Sequence, residues 1–589
     1  MTRRVAALVL ALVFVSGLAP GASAQPAEPS HVRGALPGFE NNLTPFTITF
    51  GSLPYTHDFL MLVYDTLFWS QVKEDPEPWL AEAATPSEDF RTWTVTLREG
   101  VVWHDGRPLT AEDVKFSFDY YLRAPGASGR YAHHVSDVPP FDRAEVVDPR
   151  TVRLLFRAPA PQFKIMPGGD LPIIPKHVWE TVTEPTKASA DLPVGSGPFK
   201  VVEIVPDQRY RLQANEAYFK GKPTVDELEL PIVKDPAAAF AALRTGEVDF
   251  VARNVPAELG EEFASNPDLR VVKGTKFEST QLYFNARKPP LTDPRLRKAI
   301  SLAIDSQALV DTVILGRGRP GVDSFIHPDS PWALPAASHE HDQVAAAGLL
   351  DGAGFSARDA DGVRKAPDGS RLEFRVLVSS FEPQDIRAVQ LIAQQVAPIG
   401  VRLVPEVLDP ATLRERRRAP EGQVPTYDAY VSTLEAHAHV DPDGLYYFFH
   451  SPGPKGFGAT ITGYGNPTFD TLVERASAAG SAERRPLLEE AQRILASETP
   501  VVVFWYRDGE YAYRPAAYDG WLSDFGHGIF TKRSFLPDYA TQSGRAGEGA
   551  PSGDTGTGSV WVWAVVAVVG LAVVAVFALR RRRGAEFET

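Results

Sequence analysis

The clearest alternation of apolar and polar side chains lies in residues 93–121, WTVTLREGVVWHDGRPLTAEDVKFSFDYY. Trp93, Val95 and Leu97 alternate with threonines, which is the period of a strand that has one buried face. This run therefore predicts a half-buried β-strand, which begins at the tryptophan.

A polar turn and a helix are predicted after that strand. His104 and Asp105 open a turn that contains glycine and proline, and we predict that they fix this turn rather than perform chemistry. Thr110 stands three residues before Asp113, which is the spacing of a capping box at the start of a helix. Apolar residues at i, i+4 and i+7 then mark the face of the helix that is predicted to be buried: Val114, Phe118 and Tyr121.

Helix and strand patterns alternate through the rest of the chain. Asp293 and Pro294 fit the N-cap and the first position of a helix that Gly316 would close. A later helix is predicted to break at Pro398 and Gly400, before another strand. Strands are predicted at 151–156, 199–205, 371–378 and 501–506, the last of them apolar on both faces. This alternation favours a largely parallel sheet covered by helices.

The segment PVGSGPFKV at 193–201 contains a serine between two glycines, but not the pattern Gly-x-Ser-x-Gly. The glycines on either side of Ser196 allow the backbone to bend sharply before the next strand. We therefore predict a structural turn here rather than a serine nucleophile.

Both ends of the chain carry targeting patterns. Arg3 and Arg4 precede an apolar run that ends in a small-residue cleavage site, so residues 1–24 are predicted to be a secretory signal peptide. Residues 540–559 are rich in small and polar residues and predict a flexible linker. The uncharged segment 560–579 is long enough for a helix to cross a bilayer core of about 30 Å.

The orientation in the membrane follows from the charges. Four arginines come directly after the apolar segment, so the positive-inside rule puts the tail, residues 580–589, in the cytoplasm. The predicted localisation is the cell membrane, with a single span and an extracytoplasmic body.

Composition narrows the classes of function. The 589 residues are 44% hydrophobic, as in a globular protein, and include no cysteine, which excludes disulfides, thiolate metal sites, cysteine nucleophiles and a lipid anchor on cysteine. Without the charges of the two terminal segments, 54 basic and 72 acidic residues remain, a net charge near −18. Such a surface disfavours nucleic acid as a partner and favours cationic or zwitterionic ligands.

Several segments resemble the sequence signatures of one family. The pattern W.v.LR.GV.WHDG.PLTAEDV.FS occupies 93–117, and it is followed in order by IIPKHVWE at 173–180, NEAYFKGKPTVDELEL at 215–230 and LYFNARKPPLTDPRLRKAISLAID at 282–305. Over about residues 40–535 the chain resembles bacterial solute-binding protein family 5. The members of this family are extracytoplasmic substrate-binding components of peptide-type and nickel-type ABC importers.

The resemblance implies an α/β fold of the type II periplasmic-binding-protein class, with two lobes, a hinge and an extra subdomain, followed here by one transmembrane helix. Lobe I would comprise residues 36–70, 190–278 and 507–535, and lobe II would comprise residues 279–506. The extra subdomain would be residues 71–189.

The resemblance also implies that the chain crosses twice between the lobes. One hinge crossing would fall near Phe277 and Leu282, and the other near Tyr506 and Asp508. A ligand enclosed between the lobes would be removed from water, which strengthens each hydrogen bond to it.

Ligand contacts in this family lie near an Asp-Pro pair, here Asp441-Pro442. Peptide-binding members carry an acid three residues earlier that accepts the terminal ammonium of the ligand, but this chain has Ala438 there, and Glu435 where tryptophan is frequent. Either Glu435 replaces the missing acid or the ligand lacks a free amino terminus. The candidate ligand-binding residues are Glu435, His437, Ala438, His439, Asp441 and Asn285.

Clusters of histidine and arginine also indicate other roles. His437 and His439 would point the same way on an extended segment, where they could approach a metal, but we expect one to line the ligand site and the other to meet solvent. The pair His133-His134 and the run His339-Glu340-His341 are predicted to be surface loop residues. The arginine-rich run 414–418 predicts a solvated helix face, with a carboxylate clamp as the alternative. No metal, other cofactor or catalytic residue is predicted.

The leading functional prediction is a monomeric, membrane-tethered substrate-binding protein of an ABC importer for peptides or peptide-sized solutes, which acts by hinge closure. Its partners would be the transmembrane permease subunits, with ATPase subunits on the cytoplasmic side. An anchored extracellular hydrolase is the alternative from a different class, because paired carboxylates cannot be recognised from sequence. A ligand sensor is a third alternative, although the short tail leaves no room for a signalling domain.

Overall fold

A mixed β-sheet of eleven strands runs through the computed structural model. The structure describes residues 30–38, 43–46, 56–69, 76–123, 140–188, 192–417, 424–434, 443–451, 462–523 and 528–540. All of these residues belong to one compact unit, residues 1–541.

The strands and helices within these ranges follow in chain order. The strands are β1 His31–Ala35, β2 Phe68–Trp69, β3 Glu77–Pro78, β4 Ala81–Pro86, β5 Thr92–Leu97, β6 Phe141–Asp148, β7 Thr151–Phe156, β8 Phe199–Val205, β9 Arg209–Ala214, β10 Glu227–Pro231, β11 Phe250–Val251, β12 Arg270–Phe284, β13 Gly318–Pro320, β14 Glu373–Ser379, β15 Arg402–Leu408, β16 Ala429–Leu434 and β17 Val501–Tyr513. The α-helices are Thr56–Val63, Ala111–Arg123, Lys176–Trp179, Pro236–Thr245, Gly260–Ser265, Pro294–Leu302, Ser306–Val313, Gln343–Gly352, Pro383–Val396, Pro410–Arg417, Asp443–Phe449, Pro467–Ala478, Ser481–Glu498 and Pro537–Ala540, and short 3-10 helices are Pro185–Lys187, Ala257–Leu259 and Lys532–Phe535.

The largest sheet has the order β15-β14-β16-β12-β17-β11-β1-β10-β9-β8, and β13 pairs with β17. Four of its pairings are parallel and six are antiparallel. The prediction of a largely parallel sheet is therefore wrong. Parallel pairs need a long connection, such as the helix Pro383–Val396 between β14 and β15, whereas β8 and β9 form a hairpin and β12 and β17 form a long antiparallel ladder.

The strand and capped helix predicted in residues 93–121 are confirmed. In β5 the tryptophan, valine and leucine side chains are buried and the threonines are half-buried. The helix Ala111–Arg123 begins after Thr110, whose backbone N–H donates to the Asp113 carboxylate at 2.9 Å. The face predicted to be buried is buried, with Val114, Phe118 and Tyr121 inside.

His104 holds the turn between that strand and helix against the glycine segment at 193–201. The Gly195 N–H donates to His104 Nδ1 at 3.2 Å, and His104 Nε2 donates to the Gly197 carbonyl oxygen at 3.0 Å. Burial lowers the pKa of His104 to about 4, so the ring is neutral at physiological pH. Asp105 accepts a hydrogen bond from His177 Nε2 at 2.7 Å. Both residues therefore fix the turn, as the sequence predicts.

The two glycines of the 193–201 segment are required by close backbone packing. A Cβ atom at Gly195 would overlap the carbonyl oxygen of Val63, and one at Gly197 would overlap the carbonyl oxygen of Leu62. Ser196 between them is buried and donates to Asp65 Oδ2 at 2.9 Å. The prediction of a structural turn is confirmed by these contacts.

The apolar side chains form two main cores, one on each side of the middle of the large sheet. Apolar residues up to 272 and from 511 onward form the first core, which includes the antiparallel sheet β4-β5-β7-β6. Apolar residues from 282 to 506 form the second core, on both faces of the strands β14 to β16. The chain passes from the first core to the second within β12 and returns to the first within β17.

A buried ion pair stands at the centre of the first core. Lys532 Nζ donates to Asp65 Oδ1 at 2.6 Å, and neither side chain has any exposed surface. Asp65 also accepts from Trp79 Nε1 at 2.8 Å and from the Tyr218 hydroxyl at 2.9 Å. With the bond from Ser196, four donors surround one carboxylate, which compensates the loss of its hydration.

None of the helices in the described ranges is both long enough and apolar enough to span a bilayer. The predicted signal peptide, residues 1–24, and the predicted membrane segment, residues 560–579, lie outside those ranges. Both stay predictions.

Asp65→Asn is expected to lower the free energy of unfolding by about 3 to 5 kcal/mol, because it leaves the Lys532 ammonium buried without a counter-charge. The measurement is urea unfolding of the full chain in detergent, followed by tryptophan fluorescence. Glu184→Gln, which breaks the exposed pair with Lys187 (2.9 Å apart), is the control and should change stability by less than about 1 kcal/mol. Equal effects of the two variants would contradict the role of the buried pair.

Candidate functional site

The carboxyl ends of parallel strands meet at one edge of the second core. β14 is parallel to both β15 and β16, so the residues that follow Ser379 and Leu434 leave the sheet at the same edge. Ligands of open α/β sheets bind outside the carboxyl ends of the strands. This edge is therefore a candidate binding surface.

The first core presents a corresponding edge. β1 is parallel to β10 and to β11, and Arg253 follows the carboxyl end of β11. The guanidinium carbon of Arg253 lies 5.7 Å from the ring centroid of Phe381, which follows β14 on the other side. The two strand edges therefore face each other, and a ligand held between them would contact both cores.

The connecting strands β12 and β17 are irregular where they pass between these edges. Thr275 lies opposite Asp508 and Ser279 lies opposite Tyr506, so four residues of β12 span the length of two residues of β17. Such a bulge bends the strand and changes the direction of its side chains. Glu278 lies in this bulge and is only 6% exposed.

A second carboxyl group is buried close to this bulge. Asp385 lies in the first turn of the helix Pro383–Val396, just after the edge of β14. Burial raises the pKa of the Asp385 carboxyl well above its usual range, and the negative charges of Glu382 and Glu278 raise it further, while Arg507 lowers it. Two acidic residues and one arginine therefore act on the Asp385 carboxyl at this edge.

Two further contacts join the cores. Arg317, on the side of the second core, makes an ion pair with Glu510 of β17, which Lys273 of β12 also approaches at 2.9 Å. The Arg317 guanidinium covers Gly260, where a Cβ atom would overlap it. Met166, from the segment after β7, packs into the second core although its neighbours in sequence belong to the first.

The predicted ligand segment lies outside the described residues, which end at Leu434 and resume at Asp443. This applies to five of the candidate residues: Glu435, His437, Ala438, His439 and Asp441. The preceding residue, Leu434, pairs with Ser279 in β12. Leu434, the last described residue before that segment, therefore lies directly beside the β12 bulge.

Asn285, the remaining candidate, is fully buried at the end of β12. Its amide group donates to the carbonyl oxygens of Pro425 at 3.0 Å and Tyr427 at 2.9 Å, and its side-chain oxygen accepts from Arg287 Nε at 2.9 Å. Asn285 thus fixes the backbone segment that leads into β16.

The predicted hinge residues lie in the two connecting strands. Phe277 and Leu282 belong to β12, and Tyr506 and Asp508 belong to β17. The Tyr506 hydroxyl donates to the carbonyl oxygen of Phe325 at 3.0 Å, on the side of the second core. Their role as hinges stays a prediction.

Of the other side chains discussed from the sequence, His133, His134 and Arg418 lie outside the described residues. The prediction that His339 is a surface residue is wrong, because its side chain is buried against protein partners. His339 Nδ1 lies 2.6 Å from Asp323 Oδ1, and its Nε2 donates to the Ile304 carbonyl oxygen at 2.8 Å. In the arginine-rich run, Arg417 lies over the Tyr430 ring at 4.6 Å, so this arginine packs on the protein instead of being fully solvated. Within the described ranges, no three His, Cys, Asp or Glu side chains are grouped so that they could hold a metal ion.

Sequence reasoning missed Arg253, Phe381, Asp385 and Glu278. None of them belongs to a recognisable motif. Arg253, Phe381 and Asp385 could have been found from the rule that ligand contacts follow the carboxyl ends of parallel strands, once β11 and β14 were assigned. Glu278 carries no such signal, because a bulge depends on pairing with a strand more than 200 residues away.

This arrangement defines a class of α/β proteins in which two cores are joined by a pair of strands and a site lies between them. The model of the bacterial extracellular solute-binding proteins, family 5, matches residues 75–456, which is well over half of the chain. The chain belongs to this family.

Known proteins agree with this assignment. The oligopeptide-binding protein AppA of Bacillus subtilis is 25% identical over 468 residues, which cover 77% of this chain and 82% of AppA. The structure of DppA from Helicobacter pylori in complex with the peptide STSA matches with a TM-score of 0.71 and 21% identity, covering 86% of this chain and 97% of DppA. NikA from Brucella suis, in complex with Fe(III)-EDTA, matches with a TM-score of 0.72 and 19% identity, covering 85% and 98%. The type II two-lobe fold is therefore established, and these solved relatives hold different ligands.

Asp385→Asn is expected to make the ligand-free protein more stable at neutral pH. Because the folded-state pKa is raised, the unfolded chain loses its proton first as pH increases past 3.8, and wild-type stability falls until the folded-state pKa is reached. The asparagine variant lacks this loss. The stability curves of the wild type and the variant should therefore run together below about pH 3.8 and separate as the pH rises above that value. Urea unfolding over a series of pH values measures the difference, and parallel curves throughout would contradict a buried carboxyl with a raised pKa.

Proposed function

We propose that this protein is the substrate-binding component of an ABC importer for peptides or peptide-sized organic solutes. The ligand is held between the two strand edges, and the cores close around it by bending β12 and β17 near Phe277, Leu282, Tyr506 and Asp508. The contact of Arg253 with Phe381 is the observation that carries this proposal, because it brings the two edges within reach of one ligand. Family membership supports binding without chemical conversion of the solute.

The proposal includes the cellular arrangement. Residues 560–579 anchor the monomeric protein in the membrane, residues 540–559 tether the body outside the cell, and the closed form delivers its ligand to the permease subunits. The support is the uncharged apolar segment followed by four arginines. The proposal also includes the boundaries of lobe I, lobe II and the extra subdomain that the sequence predicts.

The absence of cysteine allows a direct test of closure. Gln208 lies on the side of the first core and Asp368 on the side of the second core, and both residues are exposed. Cysteines introduced at these two positions can carry spin labels without background labelling. The full chain in detergent should show a shorter and narrower distance distribution after addition of an equimolar mixture of short peptides. Labels at Val344→Cys and Asp368→Cys, both on the second side, are the matched control and should not change. Binding of the peptides without any change in the first pair would exclude hinge closure.

Native mass spectrometry of the full chain, purified from membranes, tests the ligand class. A co-purified oligopeptide or a comparable solute is expected to leave the protein unmodified after denaturation. Steady conversion of the bound compound would instead favour the hydrolase alternative.

Glu435→Ala tests the two alternatives for the amino terminus of the ligand. If Glu435 replaces the missing acid, affinity for a peptide with a free amino terminus should fall more than about tenfold, because a hydrogen bond to a charged group is worth about 1.5 to 3 kcal/mol. Isothermal titration with the free peptide and its N-acetyl form measures this effect. An unchanged affinity would remove Glu435 from the site.

A further inference from the structure

Asp385 has no hydrogen-bond partner for its carboxyl group in the part of the chain that the structure describes. Asp385 is only 5% exposed. Its backbone N–H donates to the Glu382 carbonyl oxygen at 3.1 Å, which belongs to the helix start and leaves the carboxyl unused. A buried carboxyl without a donor is costly in the ligand-free protein, so a partner from outside would be stabilising.

The charges around Asp385 show which kind of partner fits. Three elements face its carboxyl: Glu382 precedes the same helix, Glu278 lies in the β12 bulge, and Arg507 lies in β17. Of the charged groups that act on this carboxyl, two are acidic and one is basic. On balance they disfavour a negative charge at this position, so an anionic ligand group would be repelled and a cationic one favoured.

The location of Asp385 connects this charge with the proposed binding site. Asp385 follows the carboxyl end of β14 by six residues, and Phe381, which meets Arg253 of the first core, lies between. Glu278 and Arg507 belong to the two strands that connect the cores. Because the charges of these two residues act on the Asp385 carboxyl, it lies near the connection between the cores.

We infer that Asp385, together with Glu278 and Glu382, forms a subsite for a cationic group of the ligand, either a primary ammonium or a guanidinium. This inference rests on the proposed function and specifies its ligand class as solutes that carry a positive charge. It also supplies an acid for a ligand amine at a place other than Ala438, where the family resemblance leads one to expect it.

Binding at this subsite should depend on pH. A carboxyl with a raised pKa must lose its proton before it can pair with a cation, so affinity for a cationic ligand should rise as the pH increases toward and past the raised pKa of Asp385. Glu382, Glu278 and Arg507 are the charged groups that face Asp385 from the elements around it, and only the two carboxylates favour the cation.

The test uses the full chain in detergent and five tetrapeptides as probes, with binding measured by native mass spectrometry. The probes are Ala-Ala-Ala-Ala, Ala-Lys-Ala-Ala and Ala-Gln-Ala-Ala, and the N-acetyl forms of the first two. A comparison of Lys with Gln reports a side-chain cation, and a comparison of free with acetylated peptides reports the amino terminus. Asp385→Asn is the test variant, and Asp342→Asn, at the start of the second-side helix Gln343–Gly352, is the matched control.

The wild type and Asp342→Asn should prefer one cation-bearing member over its neutral partner by about tenfold or more, with an affinity that rises with pH. Asp385→Asn should lose that preference and the pH dependence but keep its affinity for the neutral partner. Equal binding of charged and neutral probes by the wild type would overturn the cationic subsite and leave the proposed function standing. If no probe binds at all, the proposed peptide specificity fails, and the inference fails with it. An unchanged preference in Asp385→Asn would also overturn the role of this carboxyl.

Discussion

The buried pair of Lys532 and Asp65 is the constraint on which the first core depends. One carboxylate collects donors from residues 79, 196, 218 and 532, which lie far apart in the sequence. The lysine ammonium also lies 5.0 Å and 4.9 Å from the ring centroids of Trp69 and Trp79, so its charge is shared with aromatic faces. Burial lowers the pKa of Lys532, and the charge of Asp65 opposes this effect. The same loop that carries Ser196 holds the His104 ring, which links the ion pair to the most recognisable motif of the sequence.

The first core carries one side of the candidate site. Arg253 follows β11, which pairs with β1 inside the first core, whereas Phe381 and Asp385 are carried by the second core. Among the described residues, the two sides are joined by the strands β12 and β17 and by side-chain contacts, of which Arg317 with Glu510 and the packing of Met166 into the second core are the clearest. In the proposed mechanism, such a divided site encloses a solute when the two sides approach each other, and each side keeps its own packing.

Local patterns allowed much of the fold to be predicted. The strand and capped helix of 93–121, the turn around Ser196 and the doubly buried strand at 501–506 depend on neighbours in sequence, and all three are present. Strand direction in the large sheet was predicted wrongly, because it depends on partners hundreds of residues away. The candidate binding site was harder to predict than the fold. The family motif leads to residues 435–441, whereas Asp385 and Glu278 become neighbours only through the pairing of β12 with β17 and the packing of one helix start.

The topology of the chain also bears on how the protein is made. The whole second core is inserted between β12 and β17, so the first core cannot be completed until residues after 501 have been supplied. The counter-ion of Asp65 is Lys532, which lies 467 positions further along the chain. A polypeptide synthesised from its amino terminus would therefore lack this counter-ion until nearly all of the body had been made, which delays completion of the first core.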